Sequence, residues 1–122
     1  MGRLLAVGLG GAVGALGRYG VSLLPLKSAF PVLTLLTNFF GALLIGLIVG
    51  LAEDGSWKAD TVLFWKTGVC GGFTTFSTFS LEALTLLETG HAAQGAAYAA
   101  ASVALCVLGV WLGRAAGRMV RG

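Results

Sequence analysis

Apolar residues fall into four long blocks, at about residues 4–24, 31–52, 61–87 and 92–113, and the polar residues gather between them. A helix that crosses a membrane needs about 20 residues, because 1.5 Å of rise per residue must cover roughly 30 Å of hydrocarbon. All four blocks meet that length, and the second and fourth contain no charged residue. A turn at Pro25 to Phe30, a polar loop from Glu53 to Asp60 and a short link from Glu88 to His91 join them. The pattern predicts an all-α integral membrane protein with four transmembrane helices, a single domain over residues 1–122, and both termini on the same side.

Composition strengthens the membrane assignment. Apolar residues make up 57% of the chain, charged residues 11%, and the mean hydropathy is +0.90, whereas soluble domains carry roughly a quarter charged residues. The net charge of +3 does not point to nucleic acid, since the basic residues are scattered and three of them, Arg114, Arg118 and Arg121, form a juxtamembrane tail. Arg3, Lys58 and that tail share the side of the termini, with Lys66 near it, against Lys27 and Arg18 opposite, so the positive-inside rule places the termini in the cytoplasm. Arg3 followed by an apolar run has the outline of a signal peptide, but Arg18 interrupts the run and further spans follow. Cys70 and Cys106 lie within apolar segments without metal-ligand spacing and read as packed thiols. Glycines recur at Gly8, Gly11, Gly14, Gly17 and Gly20 in the first block and at Gly109, Gly113 and Gly117 in the fourth. Such rows let helix backbones approach closely in lipid, where no hydrophobic drive brings helices together.

The third block has the composition of a helix broken in its middle. Gly71-Gly72 costs about 1 kcal/mol per glycine in helix propensity. The Thr and Ser residues that follow offer hydroxyls that compete for backbone hydrogen bonds. Irregular backbone at membrane depth is tolerated only where protein, water or an ion satisfies it. Two readings stand: a glycine kink closed by neighbouring hydroxyls, or an opened turn that binds something. Beyond it, Phe76 and Phe79 share one helix face, and Thr75, Thr78 and Glu82 form a polar stripe beside them. The phenylalanines serve packing, or they present the positive ring edge to an anion.

Thr34 and Asn38 on the second helix, and Tyr98, Ser102 and Cys106 on the fourth, stripe single faces at a spacing of four. Each serves as inter-helix hydrogen bonding; together they can line a path of neutral donors, which replaces the hydration shell of a small anion without trapping it. Arg18 lies about 22 Å along the first helix at 1.5 Å per residue, within reach of headgroups or an acidic partner at the far interface. Glu82 ends the polar stripe that begins at the break.

Three motifs make the chain resemble the fluoride channels of the Fluc (CrcB) family: Gly10-Gly11-Ala12-Val13-Gly14-Ala15-Leu16-Gly17-Arg18-Tyr19, Thr37-Asn38-Phe39-Phe40-Gly41, and Gly71-Gly72-Phe73-Thr74-Thr75-Phe76-Ser77-Thr78-Phe79-Ser80. The resemblance covers nearly the whole chain. It implies a passive channel that lets fluoride leave the cell, a multi-pass protein of the prokaryotic inner membrane, and an antiparallel, dual-topology homodimer with two pores. It further implies that Phe76 and Phe79 turn ring edges to fluoride, that the Asn38 amide donates to it, and that Tyr98 and Ser102 lie along the pore. Thr75, Thr78 and Glu82 then form a polar track, Arg18 is structural, and backbone carbonyls of Gly71 and Thr74 hold a central sodium ion. The chain departs from the family at Cys106, where a hydroxyl would continue the stripe, and in a basic bias larger than dual insertion expects.

Two other classes fit the four-helix outline. A small proton-coupled exporter depends on an acidic residue in the middle of the first helix, and none occurs between Gly2 and Leu26. A non-transporting membrane subunit needs only the glycine ridges. An enzyme is not indicated, because His91 stands alone near a loop without paired acids.

Overall fold

The computed structural model describes residues 1–122, and every element in it is helical. Three helices are long and apolar enough to cross a membrane: the first, Gly2–Ser22, the second, Val32–Ala52, and the last, Ala92–Arg121. The residues between the second and last helices form two limbs. The first limb, residues 59–73, starts as a turn of α-helix at Ala59–Val62, widens into a π-helix at Leu63–Cys70 and closes with Gly71–Phe73. The second limb is the α-helix Phe76–Glu88. Gly90, at φ 82°, ends this limb in the left-handed region, which lets the His91 amide reach back to the Leu86 carbonyl at 2.8 Å.

Between the limbs, Thr74 (φ −84°, ψ 157°) and Thr75 (φ −150°, ψ 116°) are extended. The chain therefore leaves its helical path one turn later than the Gly71-Gly72 pair suggests, since Gly71 itself is helical at φ −64°, ψ −37°. The reason is that these glycines serve packing. A Cβ on Gly72 would strike the Gly11 carbonyl and lie 3.0 Å from the Ala15 amide nitrogen, so the bare backbone at Gly72 is what lets the first helix pass close by.

Close backbone contact organises the bundle in two pairs. The first helix lies against the first limb, where a Cβ on Gly10 would overlap the Phe64 carbonyl and one on Gly14 would overlap the Val69 carbonyl. The second helix lies against the last through Gly46 and Gly50 on one side and Gly113 and Gly117 on the other. The row in the last helix is thus a contact row, but that in the first is not the one its spacing suggests. Gly8, Gly11 and Gly20 have open space where a side chain would stand, Gly17 touches only the Phe73 ring, and the working pair is Gly10 and Gly14. Leu5, Leu9 and Leu16 of the same helix are more than half exposed, as expected of a surface whose solvent is acyl chain.

This difference is testable. A Cβ at position 113 would overlap the Leu43 carbonyl and sit 2.9 Å from the Leu47 nitrogen, so Gly113→Ala should destabilise the bundle by about 1–3 kcal/mol. Gly20→Ala should leave stability unchanged or raise it by up to about 1 kcal/mol through helix propensity. Thermal unfolding in detergent separates the two, and equal melting temperatures would mean that the row at Gly113 is not a helix contact.

At the end of the second helix, Glu53 gathers the expected basic tail. It accepts from Arg118 at 2.6 and 2.7 Å and from Arg114, with Arg121 at 3.9 Å. Hydrogen bonds from Arg118, then Arg114, hold its carboxyl down at about 2. The last helix accordingly continues through Arg121, past the end of its apolar block.

Candidate functional site

Extended backbone inside a helical bundle leaves amides and carbonyls without helical partners, and each needs another one. Asn38 supplies both for Thr75. Its Nδ2 donates to the Thr75 carbonyl at 3.1 Å and its Oδ1 accepts from the Thr75 amide at 2.8 Å. A side-chain amide has the donor and acceptor geometry of a peptide group, so Asn38 pairs with Thr75 much as a neighbouring strand would. One hydrogen of its NH₂ is left over, because an asparagine amide carries two.

Thr75 also starts the second limb. Its hydroxyl oxygen accepts from the Thr78 amide at 3.1 Å, an N-cap, and it donates to the Thr78 hydroxyl at 3.1 Å. These two diversions free two carbonyls. The Thr75 amide would ordinarily close onto Gly71 and the Thr78 amide onto Thr74, and both are committed elsewhere. The Thr74 amide and hydroxyl both fold back on the Cys70 carbonyl, at 3.0 and 2.8 Å. The Gly72 carbonyl receives Arg18 Nε at 3.1 Å. Arg18 Nε thus serves the negative end of the first limb. The sequence signal for this was available in principle, since a cation at membrane depth must find a partner, but the partner is a backbone atom of another helix.

Past the interruption, the rings of Phe76 and Phe79 are tilted by 40° at a centroid distance of 5.4 Å, and Phe79 lies 5.0 Å from Tyr98. Tyr98 is fully buried, with Phe30 packed edge-on against it, and its hydroxyl donates to Glu82 Oε1 at 3.1 Å. Phe30 was not singled out by sequence, because it lies in a turn rather than on a patterned face.

One cavity of about 640 Å³ collects most of these groups. Asn38, Gly71, Thr74, Thr75, Phe76, Phe79 and Ser102 line it, together with Cys106 and Lys66. The Ser102 hydroxyl is buried and has no hydrogen-bond partner. A second cavity of about 210 Å³ lies on the other side of the interruption and is lined by Arg18, Thr34, Thr37, Thr75 and Thr78 among others. Thr75 belongs to both cavities. Tyr98 and Glu82 line neither and stand behind the phenylalanines as a hydrogen-bonded pair. Chemically, the larger cavity offers hydroxyls, a spare amide hydrogen, aromatic rings and unclaimed carbonyls, and no carboxylate lines it.

Comparison with known proteins places the chain in a family. The family described as "CrcB-like protein, Camphor Resistance (CrcB)" matches residues 5–114. A protein of Cereibacter sphaeroides named "Fluoride-specific ion channel FluC" is 47% identical, over 94% of this chain and 94% of its own. Proteins of the same name from Ruminiclostridium cellulolyticum and Thermus thermophilus are 45% and 43% identical, over 92% and 93% of this chain and 89% and 93% of theirs. The likeness spans all four apolar blocks and includes every residue that lines the two cavities, and the chain belongs to the CrcB family.

Proposed function

We propose that this chain is a passive fluoride-selective channel of a prokaryotic inner membrane, a four-span protein whose third span is the interrupted pair of limbs. The observation that carries the reading is the cavity at the interruption, walled there by Phe76, Phe79 and neutral donors, with Lys66 as its one charged residue and no carboxylate. A small, strongly hydrated anion loses its water only where donors replace it. Ring edges, the spare Asn38 hydrogen and the orphaned Ser102 hydroxyl are of that kind. The names of the relatives supply the anion, since they are called fluoride-specific ion channels. Those names describe channels, not enzymes.

In this reading Thr75 and Thr78 form the polar side of the path, Tyr98 and Glu82 brace the phenylalanines from behind as a hydrogen-bonded pair, and Arg18 holds the interruption in shape. The chain acts as an antiparallel homodimer. Phe76 is 79% exposed in one copy, so a path along it needs a second wall, which an inverted copy would supply. Sodium would be held by the Gly71 and Thr74 carbonyls. These fit a hard cation, which takes oxygen ligands, and they are the two carbonyls whose helical amides are engaged elsewhere. The ion would tie the interruption together, and conduction itself rests on the side chains.

Purified protein in liposomes should dissipate a fluoride gradient far faster than a chloride gradient, with no proton or sodium gradient to drive it. An ion-selective electrode reads the efflux directly. Equal chloride flux, or fluoride movement that requires a proton gradient, would replace the channel with a non-selective pore or an exporter.

A further inference from the structure

We propose that Lys66 is an electrostatic collector for the fluoride path, a fixed positive charge at the outer end of the cavity that concentrates the anion before it meets the phenylalanines. This rests on the channel reading above and adds a residue that sets the rate.

The π-helical limb sorts its residues into two stripes. Phe64, Gly68 and Gly72 face the backbone of the first helix, while Lys66, Cys70 and Thr74 lie along the cavity. Lys66 is the outermost of the second stripe and shares its end of the cavity with Ile45 and Val110. At 1.5 Å per residue, Ile45 stands about 10 Å along the second helix from Asn38, and Val110 about 12 Å along the last helix from Ser102. Arg114, whose side chain meets Glu53 at the end of the bundle, is one turn beyond Val110. Seen from the side of the termini, the lysine end is therefore the mouth of the cavity, and the Phe76 and Ser102 end, about 10–12 Å further in, is its floor.

Lys66 is exposed and belongs to none of the ion pairs, which all join Glu53 to the three terminal arginines. Its charge is not cancelled locally. A cleft with low-dielectric walls focuses such a field along its axis and raises the local concentration of the opposite ion. The floor of the cavity has only neutral donors, which suit release but attract weakly from a distance. A cation at the mouth and neutral groups at the floor divide capture from passage, and the lysine lies too far from the floor to hold the ion there.

The test measures fluoride efflux from liposomes at low fluoride, carrying the wild-type chain, Lys66→Gln, Lys66→Glu or Lys66→Arg, in about 0.01 M and about 1 M of an impermeant salt. The screening length is about 30 Å in the first and 3 Å in the second. At low salt, Lys66→Gln should conduct about threefold more slowly than wild type and Lys66→Glu about tenfold more slowly, the size expected of one charge acting over about 10 Å of partly aqueous path. Lys66→Arg should match wild type, and all four should converge at high salt. Normal flux in Lys66→Gln at low salt would overturn the proposal. So would a deficit that persists at high salt or appears in Lys66→Arg, because that marks lost packing. A wild-type chain that moves no fluoride removes the channel reading itself, and with it the collector. Wild-type flux with indifferent variants removes only the collector.

Discussion

Replacing Asn38 with alanine is expected to reduce fluoride efflux to the background of empty liposomes and to lower stability by about 1–3 kcal/mol. The size follows from what the amide holds. Asn38 is the partner of both the Thr75 amide and the Thr75 carbonyl; the amide can find another acceptor but the carbonyl is left without a donor, at a cost of about 1–3 kcal/mol. Water entering the gap would soften the loss without restoring the geometry. Without the amide, the Thr75 N–H is free to close onto Gly71, the limbs gain a helical bond, and Phe76 and Phe79 rotate away from the cavity. Asn38→Asp separates the two roles. It keeps an acceptor for the Thr75 amide but sets a carboxylate against the Thr75 carbonyl and in the path of an anion, so it should fold better than the alanine variant and still not conduct. Efflux measurements paired with thermal melting decide the matter. Wild-type flux and melting in Asn38→Ala would mean that the pairing does not hold the interruption.

The helical runs were legible because each is encoded locally, by apolar length between polar links. The position of the interruption was not. Glycine pairs carry an intrinsic helix cost, but at Gly71-Gly72 that cost is offset by close packing against Gly11 and Ala15. The turn yields instead at Thr74 and Thr75, where a partner 37 residues away takes the backbone groups. No local propensity contains that partner. The same holds for Arg18, whose spacing along the first helix suggested an interface but whose guanidinium reaches a carbonyl 54 residues away. The π-helix at Leu63–Cys70 left no mark in the residue pattern that distinguishes it from α-helix.

Side-chain stripes were read more successfully than backbone, for a geometric reason. Residues four apart share a helix face whatever the helix packs against, so Asn38, Ser102 and Cys106 reach the same cavity from two helices. A stripe does not say which members touch the space and which stand behind it. Tyr98 starts the stripe on the last helix, yet it is wholly buried and is spent on Glu82, while Ser102 one turn later is left with an unused hydroxyl. The glycine row of the first helix misled in the same way: a spacing of three was conspicuous, but the contact uses Gly10 and Gly14, four apart.

Phe76→Ile is expected to slow fluoride efflux by about tenfold while leaving the fold almost untouched. Isoleucine keeps the apolar bulk but has no ring edge. An edge interaction as large as that between two aromatic rings, about 0.5–1.5 kcal/mol, lost where the ion passes, corresponds at its upper end to about a tenfold change in rate. The fold should tolerate the change because Phe76 is 79% exposed within one chain and its aromatic partner there is Phe79; exposed substitutions of this kind usually stay within about 0.5 kcal/mol. Phe79→Ile provides the contrast. Phe79 lies between Phe76 and Tyr98, so its loss should lower both flux and melting temperature, by leaving Tyr98 loosely packed and its bond to Glu82 mobile. If Phe76→Ile conducts at the wild-type rate, the anion does not pass that ring, and the path must run instead through the smaller cavity beside Arg18 and Thr78.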